Sequence, residues 1–211
     1  MRTFILILSM LLLPGCQSAY YSTMEKVGVH KRDILADRVD KAQDAQQDAQ
    51  DQFKSALEQF STLINFDGDD LQKQYELTDN EYQACSEAAA NVSERINSIE
   101  DVAKALFNVW QDELDMYTNP KLKQESSAKL NATQRQYKRL LSTMRQAESS
   151  MAPVLDSLRD NTLYLKHNLN AQAIGALRGE FANIERDITL LIRNMNKAIS
   201  ESQQFIATLK Q

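Results

Sequence analysis

The chain has 211 residues and a formal net charge of −5 at pH 7. Nucleic-acid-binding proteins are usually basic, so this acidic balance excludes that class and we expect no nucleic-acid partner. Only five glycines and three prolines are present, while glutamine, alanine, leucine and charged residues are abundant, a composition typical of long helices.

Residues 1–15 have the three parts of a signal peptide. Arg2 provides the positive start, residues 4–13 are almost continuously apolar, and Leu-Pro-Gly-Cys follows, ending at Cys16. An apolar run of about ten residues is too short to span a bilayer as a helix. A small residue before cysteine matches the bacterial lipobox, which predicts a diacylated Cys16 as the mature N terminus. The alternatives are an ordinary signal peptide cut near Ala19 and an uncleaved N-terminal anchor.

Residues 16–21 are accordingly predicted to be the lipidated cysteine and a short tether. Two acyl chains hold a protein stably on a membrane, so the membrane is the first predicted partner. Gln17 is not the aspartate that typically retains lipoproteins in the inner membrane. We therefore expect an exported protein that faces the periplasm, with the outer membrane favoured over the inner.

Apolar residues recur at spacings of three and four through most of residues 22–211. Such a seam predicts long helices that wind around one another, with approximate bounds 22–66, 70–117, 120–166 and 171–210. Because the connections are short, consecutive helices should be antiparallel. The predicted fold is all-α, a single elongated antiparallel bundle of four coiled-coil-like helices.

The seam of the second helix contains the second of the chain's two cysteines. Its two rows are Tyr82, Ala89, Ile96, Ala103, Trp110 and Tyr117, and Cys85, Val92, Ile99 and Leu106. With Cys16 assigned to the lipid, Cys85 has no intramolecular disulfide partner. Its seam position favours a small buried apolar role over that of a reactive or intermolecular thiol.

The first break in the pattern, residues 67–70, should end the first helix and cap the second. Asn119-Pro120 has the pattern of an N-cap followed by proline at the first helical position, and Asn170 is the N-cap expected for the fourth helix. Thr78-x-x-Glu81 resembles a capping box, which suggests a restart of the second helix. Pro153 should kink the third helix.

Two further patterns concern packing and recognition. Gly175-x-x-x-Gly179 suggests tight local helix packing, because the helix is too polar to span a membrane. The first and third turns should lie at the same end of the bundle, where loops often carry recognition. The candidate interaction residues are Asp67, Asp69, Asp70, His167, Asn168 and Asn170. The alternative is that they are plain helix connectors. The aspartates could offer oxygen ligands to a cation, but helix capping explains them as well, so no metal and no cofactor are predicted.

The second helix is rich in acidic residues and the start of the third in basic ones. Five basic residues fall outside the third helix's seam: Lys121, Arg135, Lys138, Arg139 and Arg145. We expect them to pair with the acidic second helix, which would fix the pairing of the two helices. The alternative is a basic face for anionic lipid or phosphate groups.

Three stretches carry a resemblance to a known family: residues 20–35, residues 101–107 together with Trp110, and residues 164–171. They resemble a family of Gram-negative bacterial lipoproteins catalogued as a domain of unknown function. The resemblance covers nearly all of the mature chain. It implies a helical, coiled-coil-containing envelope protein, and it brings no activity or catalytic residues.

We expect a structural or adaptor role for this protein, through contact with another envelope protein. Self-association is an open alternative. A second hypothesis is a membrane-shaping module that resembles BAR domains, or an anionic-lipid-binding helical module. A third is a small-ligand binder or enzyme with a pocket in the bundle. The seams contain no converging titratable groups, so no catalytic residue is predicted and the protein is expected not to be an enzyme.

Overall fold

The computed structural model describes residues 30–210. The predicted signal peptide, Cys16 with its tether, and residues 22–29 of the predicted first helix lie outside the described residues. The lipidation of Cys16 therefore stays a prediction.

Residues 30–210 form five helices and no strand, which confirms the all-α prediction. The helices are α1 (Lys31–Ile64), α2 (Leu71–Leu114), α3 (Pro120–Ser149), α4 (Met151–His167) and α5 (Ala171–Leu209). The longest, α2, has 44 residues and a length of about 66 Å at 1.5 Å per residue. The molecule is therefore elongated.

Polar contacts between helices fix their antiparallel arrangement. Between each pair of neighbouring helices, a contact later in one helix lies earlier in the other. Between α1 and α2, Gln52 bonds to Glu81 and Gln59 bonds to Gln74. Between α2 and α3, Asn97 bonds to Arg145 and Trp110 bonds to Ser126. Between α1 and α5, Gln50 bonds to Asn196 and the Ile64 carbonyl accepts from Arg178. Helices α3 and α4 follow one another along the same side, and both pack against α2 and α5. Together they form the third arm of a four-arm antiparallel bundle.

The predicted seams form the core. In α1, Leu35, Val39, Phe53, Phe60 and Leu63 are fully buried. In α2 the same holds for Cys85, Ile96, Ile99 and Ala103. Aromatic rings join three arms near one end, where Tyr137 of α3 lies 5.4 Å from Phe107 of α2 and 6.3 Å from Phe205 of α5 between ring centroids.

Three predicted N-caps are confirmed. The Asp70 carboxylate accepts a hydrogen bond from the Lys73 backbone N–H at 3.0 Å. The Asn119 side chain accepts from Lys121 at 2.9 Å, with Pro120 at the first helical position, and Asn170 accepts from Ala173 at 3.1 Å. Each cap satisfies a backbone donor that has no partner within its helix. These capping residues determine where the three helices begin.

The predicted restart of the second helix at Thr78 is wrong. Helix α2 is continuous from Leu71 to Leu114. The Thr78 hydroxyl donates to the Gln74 carbonyl at 2.8 Å, and its side chain is buried. This bond to the carbonyl one turn earlier keeps Thr78 inside the helix, so its hydroxyl caps nothing.

The third predicted helix is divided in two instead of merely kinked. Helix α3 ends at Ser149, Ser150 separates the two, and α4 begins at Met151. The Ser150 N–H donates to both Gln146 and Ala147 carbonyls at 3.2 Å. The break places Pro153 in the first turn of α4, where a missing N–H costs little.

Two other packing predictions are wrong. Helix α2 ends at Leu114, short of Tyr117, and Tyr117 is 41% exposed although the seam placed it in the core. Gly175 and Gly179 are also exposed, and a Cβ atom at either position would meet nothing within 4 Å. The glycine pattern of α5 therefore does not mark tight packing.

Candidate functional site: an open groove at the proximal end

We name the ends of the bundle by chain position. The proximal end contains His30, the start of α1 and the α2–α3 turn; the distal end contains residues 65–70 and 168–170. A groove of about 960 Å³ opens at the proximal end. It lies where α1 and α3 begin and α2 and α5 end.

Trp110 of α2 lines this groove. Its indole N–H donates to the Ser126 hydroxyl of α3 at 2.9 Å. The Arg32 guanidinium of α1 lies 5.3 Å from the Trp110 ring centroid, within the range of a cation–π interaction. These two contacts join three helices at the open end of the bundle.

The groove combines an apolar floor with a rim of mixed charge. Leu106, Val109 and Leu209 contribute apolar side chains, and Tyr117 and Leu122 lie beside them with 41% and 49% exposure. Both signs of charge occur among the lining residues: Lys31, Arg32, Lys129 and Lys210 are basic, and Asp33, Glu113 and Glu125 are acidic. The groove can therefore accept an apolar group without a strong preference for either charge.

Large apolar side chains that reach solvent concentrate at the two ends of the bundle. Among the described residues, the proximal end exposes Met116, Tyr117 and Leu122, and the distal end exposes Leu77, Leu163, Tyr164 and Leu169. Leu190, midway along α5, is the exception on the shaft. Exposed apolar groups at the ends of a polar rod are candidates for contacts with other molecules.

The six candidate interaction residues occupy the distal turns as the sequence predicted. Asp67, Asp69 and His167 are exposed, and Asp70 and Asn170 are the caps described above. Asn168 ends α4, with its side-chain amide donating to the Tyr164 carbonyl at 2.9 Å. Three of the six thus serve helix ends, and their role in interaction stays a prediction.

The basic residues of α3 divide between two neighbours. Arg145 pairs with Glu100 of α2 and with Glu148 of its own helix. Burial works against the charged form, but the hydrogen bonds to these carboxylates outweigh it and raise the pKa of Arg145. Arg139 pairs with Glu201 of α5 at 2.9 Å, so the expectation of pairing with the second helix is correct for Arg145 and wrong for Arg139.

The remaining basic candidates lie on the surface. Lys121 is 4.0 Å from Glu125 within α3, and Arg135 and Lys138 are exposed.

No helix of residues 30–210 has a stretch long and apolar enough to cross a bilayer. Within the same range, no three His, Cys, Asp or Glu side chains come together in a way that could hold a metal ion.

Cys85 is buried as the seam predicted. Its sulfur lies 3.6 Å from the Gln52 carbonyl oxygen. Burial, with a smaller contribution from the negative charge of Glu81, raises the pKa of Cys85 to about 12. Since the thiolate is the nucleophilic form, this thiol has little reactivity near neutral pH.

Sequence reasoning missed the groove and the exposed residues beside it. The second helix's seam ends in two aromatic residues, Trp110 and Tyr117, whereas the first helix's seam begins at Leu35. The two aromatic residues at the end of the second helix's seam were the signal that the sequence offered.

Neither the curated proteins nor the solved structures include one that matches this chain. A family model described as "Protein of unknown function (DUF2959)" matches residues 20–209. That range contains all five helices and both ends of the bundle, and the protein belongs to this family of proteins of unknown function.

Proposed function

We propose that the protein is a lipid-anchored adaptor of the bacterial envelope. In this proposal the lipid on Cys16 holds the proximal end near the membrane, with the outer membrane favoured, and the helical rod presents its distal end to a protein partner. The role is structural and not enzymatic. The observation that supports it is the concentration of exposed apolar side chains at the two ends of a bundle whose shaft is largely polar.

The distal end has features suited to a protein contact. Leu163 and Tyr164 lie in the last turns of α4 with 46% and 41% exposure, and Leu169 follows in the turn with 40%. Tyrosine is among the residue types enriched at protein interfaces, because it combines apolar area with a hydrogen-bonding hydroxyl. Exposed Asp67, Asp69 and His167 at the same end supply a polar surrounding.

The lipid anchor can be tested by itself. Cys16→Ala should abolish acylation and processing by the lipoprotein signal peptidase, because the thiol is the acceptor of the lipid. Incorporation of labelled palmitate into the wild type and its loss in the variant would support the proposal. Incorporation into the Cys16→Ala protein would contradict it.

The protein partner can be tested by photocrosslinking in living cells. A photoreactive phenylalanine analogue at Tyr164 should yield one discrete adduct, and mass spectrometry would identify the protein captured. The same analogue at Lys138, an exposed position on the shaft, is the matched control and should yield no adduct.

A second variant links that adduct to the distal apolar residues. Leu163→Ser with Leu169→Ser should reduce the adduct at position 164 without loss of helicity by circular dichroism. If positions 164 and 138 give the same adducts, or if neither gives any, the distal end is not the interaction surface.

The competing proposal of an anionic-lipid or membrane-shaping surface receives less support. Three of the five basic candidates have carboxylate partners, namely Lys121, Arg139 and Arg145. Exposed ion pairs of this kind contribute little free energy, roughly 0–1 kcal/mol each, but they reduce the net charge that a membrane would meet. A continuous basic face would need more basic side chains without acidic neighbours.

A further inference from the structure

The α2–α3 connection forms an exposed apolar tip, consisting of Met116, Tyr117 and Leu122. Their exposed fractions are 76%, 41% and 49%. Met116 and Tyr117 follow the end of α2, and Leu122 lies in the first turn of α3. The groove with Trp110 lies directly behind Tyr117 and Leu122.

We propose that the apolar tip inserts into the surface of the bilayer that holds the lipid at Cys16. The inference rests on the proposed lipid anchor and adds a second attachment, made by the folded domain itself. Leucine and methionine side chains enter the boundary between headgroups and acyl chains, and tyrosine is enriched at that depth. One lipid group combined with a second membrane contact gives much firmer attachment than either alone.

Chain geometry places the apolar tip on the membrane side. Tyr117 and Leu122 line the same groove as His30, the first described residue. Residues 17–29 separate His30 from Cys16, and a chain of that length spans at most about 50 Å when fully extended. The distal end of α1 lies roughly 50 Å further along the bundle. The tip is therefore the part of the described domain best placed to reach the bilayer.

Charges beside the apolar tip are balanced. Lys123 pairs with Asp115 at 3.1 Å, and Lys121 lies 4.0 Å from Glu125. A tip that bound mainly by attraction to anionic headgroups would need an excess of basic side chains. The contact is therefore apolar insertion, and it should occur on zwitterionic as well as anionic membranes.

The chain contains a single tryptophan, Trp110, so fluorescence can report on one position at a time. The probe is the full lipidated protein reconstituted in phosphatidylcholine vesicles, with and without phosphatidylglycerol, in which brominated lipids quench nearby tryptophan. Two single-tryptophan variants in a Trp110→Phe background are compared: Tyr117→Trp at the tip and Tyr164→Trp at the distal end.

The tip variant should lose fluorescence in brominated vesicles of both compositions and shift its emission to shorter wavelength. The distal variant should do neither. In the Tyr117→Trp background, Met116→Ser with Leu122→Ser should reduce the quenching. Leu190→Ser is the matched control, since Leu190 is 50% exposed on the shaft, and it should leave the quenching unchanged. Equal quenching at positions 117 and 164, or quenching only in anionic vesicles, would overturn the inference.

The lipid anchor and the tip contact can fail separately. The mass of the N-terminal peptide of the reconstituted protein shows whether Cys16 is acylated. An acylated protein without quenching at position 117 would overturn the tip contact and leave the anchor intact. An unacylated protein would overturn the anchor, and quenching at position 117 on added vesicles would then support the tip contact alone.

Discussion

At the scale of single residues, Gln46 is out of place in an apolar core. It occupies a seam position of α1 and is completely buried. Neither its amide nitrogen nor its amide oxygen has a hydrogen-bond partner among the described residues. A buried polar group without a partner costs about 1–3 kcal/mol. Gln46→Leu should therefore raise the free energy of unfolding by on the order of 1 kcal/mol, measured by urea denaturation.

Gln50 is the matched control for this prediction. It is 2% exposed on the same helix, but its amide donates to the Asn196 side chain at 2.9 Å. Gln50→Leu removes an existing hydrogen bond. It should therefore raise the free energy of unfolding less than Gln46→Leu does, or lower it. Loss of stability in Gln46→Leu would show that its amide is satisfied in solution.

Cys85 predicts a specific dependence of stability on pH. Burial raises its pKa from the ordinary value of 9.0 to about 12. At a pH between these two values, the unfolded chain releases the thiol proton whereas the folded chain keeps it. The free energy of unfolding therefore falls as the pH rises through this range. The contribution of the buried thiol to stability is fully present below pH 9.0. The slope from one proton approaches about 1.4 kcal/mol per pH unit.

Chemical denaturation over this pH range provides the measurement. Cys85→Ala should show a shallower decline than the wild type, because the variant lacks the thiol. The native protein should also react with a polar thiol reagent far more slowly than the denatured chain. Equal slopes in the two proteins, together with rapid labelling of the native protein, would contradict the burial of this thiol.

At the scale of secondary-structure elements, the division between α3 and α4 explains how the bundle tolerates Pro153. The break at Ser150 places this exposed proline in the first turn of α4. Pro153→Ala should therefore change the free energy of unfolding by less than about 1 kcal/mol, measured by thermal or urea denaturation. A proline in the interior of α3 should cost roughly 3 kcal/mol.

Ser142→Pro is the comparison variant, since Ser142 is exposed and lies well inside α3. The Ser142→Pro variant loses a backbone hydrogen bond inside α3. Pro153, in contrast, lies in the first turn of α4, where backbone N–H groups have no acceptor within the helix. If Pro153→Ala destabilises as much as Ser142→Pro, then the proline itself maintains a break that the core requires.

At the scale of the whole molecule, the antiparallel topology predicts which pairs of introduced cysteines a short bifunctional thiol reagent can join. Cysteines replacing Gln52 and Glu81, whose side chains form a 2.7 Å hydrogen bond, should crosslink within one chain in a Cys85→Ala background. Gln50 with Asn196 should do the same between α1 and α5. Non-reducing electrophoresis and mass spectrometry detect the products.

Gln52 paired with Asp112 is the negative control. Both belong to the helices joined by the first pair, but Asp112 lies about 45 Å along α2 from Glu81. A crosslink within one chain at positions 52 and 112, without one at 52 and 81, would contradict the antiparallel bundle.

Local patterns determined most of the fold. The apolar spacing fixed which face of each helix is buried, and the capping side chains of Asp70, Asn119 and Asn170 fixed where three helices begin. Both kinds of signal act over a few residues, so they can be read along the chain. Thr78 shows where such local signals fail. Its capping pattern does not start a new helix, because the apolar seam continues before and after it and its hydroxyl bonds to the carbonyl one turn earlier.

The lipid anchor comes from the sequence, but tertiary structure alone decided which side chains the two proposals place at the ends of the bundle. The groove, the exposure of Met116 and Leu122, and the pairing of Arg139 with α5 depend on where helices from distant parts of the chain end beside one another. A side chain at a seam position is buried only if a neighbouring helix extends to the same level. The sequence by itself determined the helices and their inner faces, whereas the alignment of their ends in space determined which apolar residues remain available for a membrane or a partner.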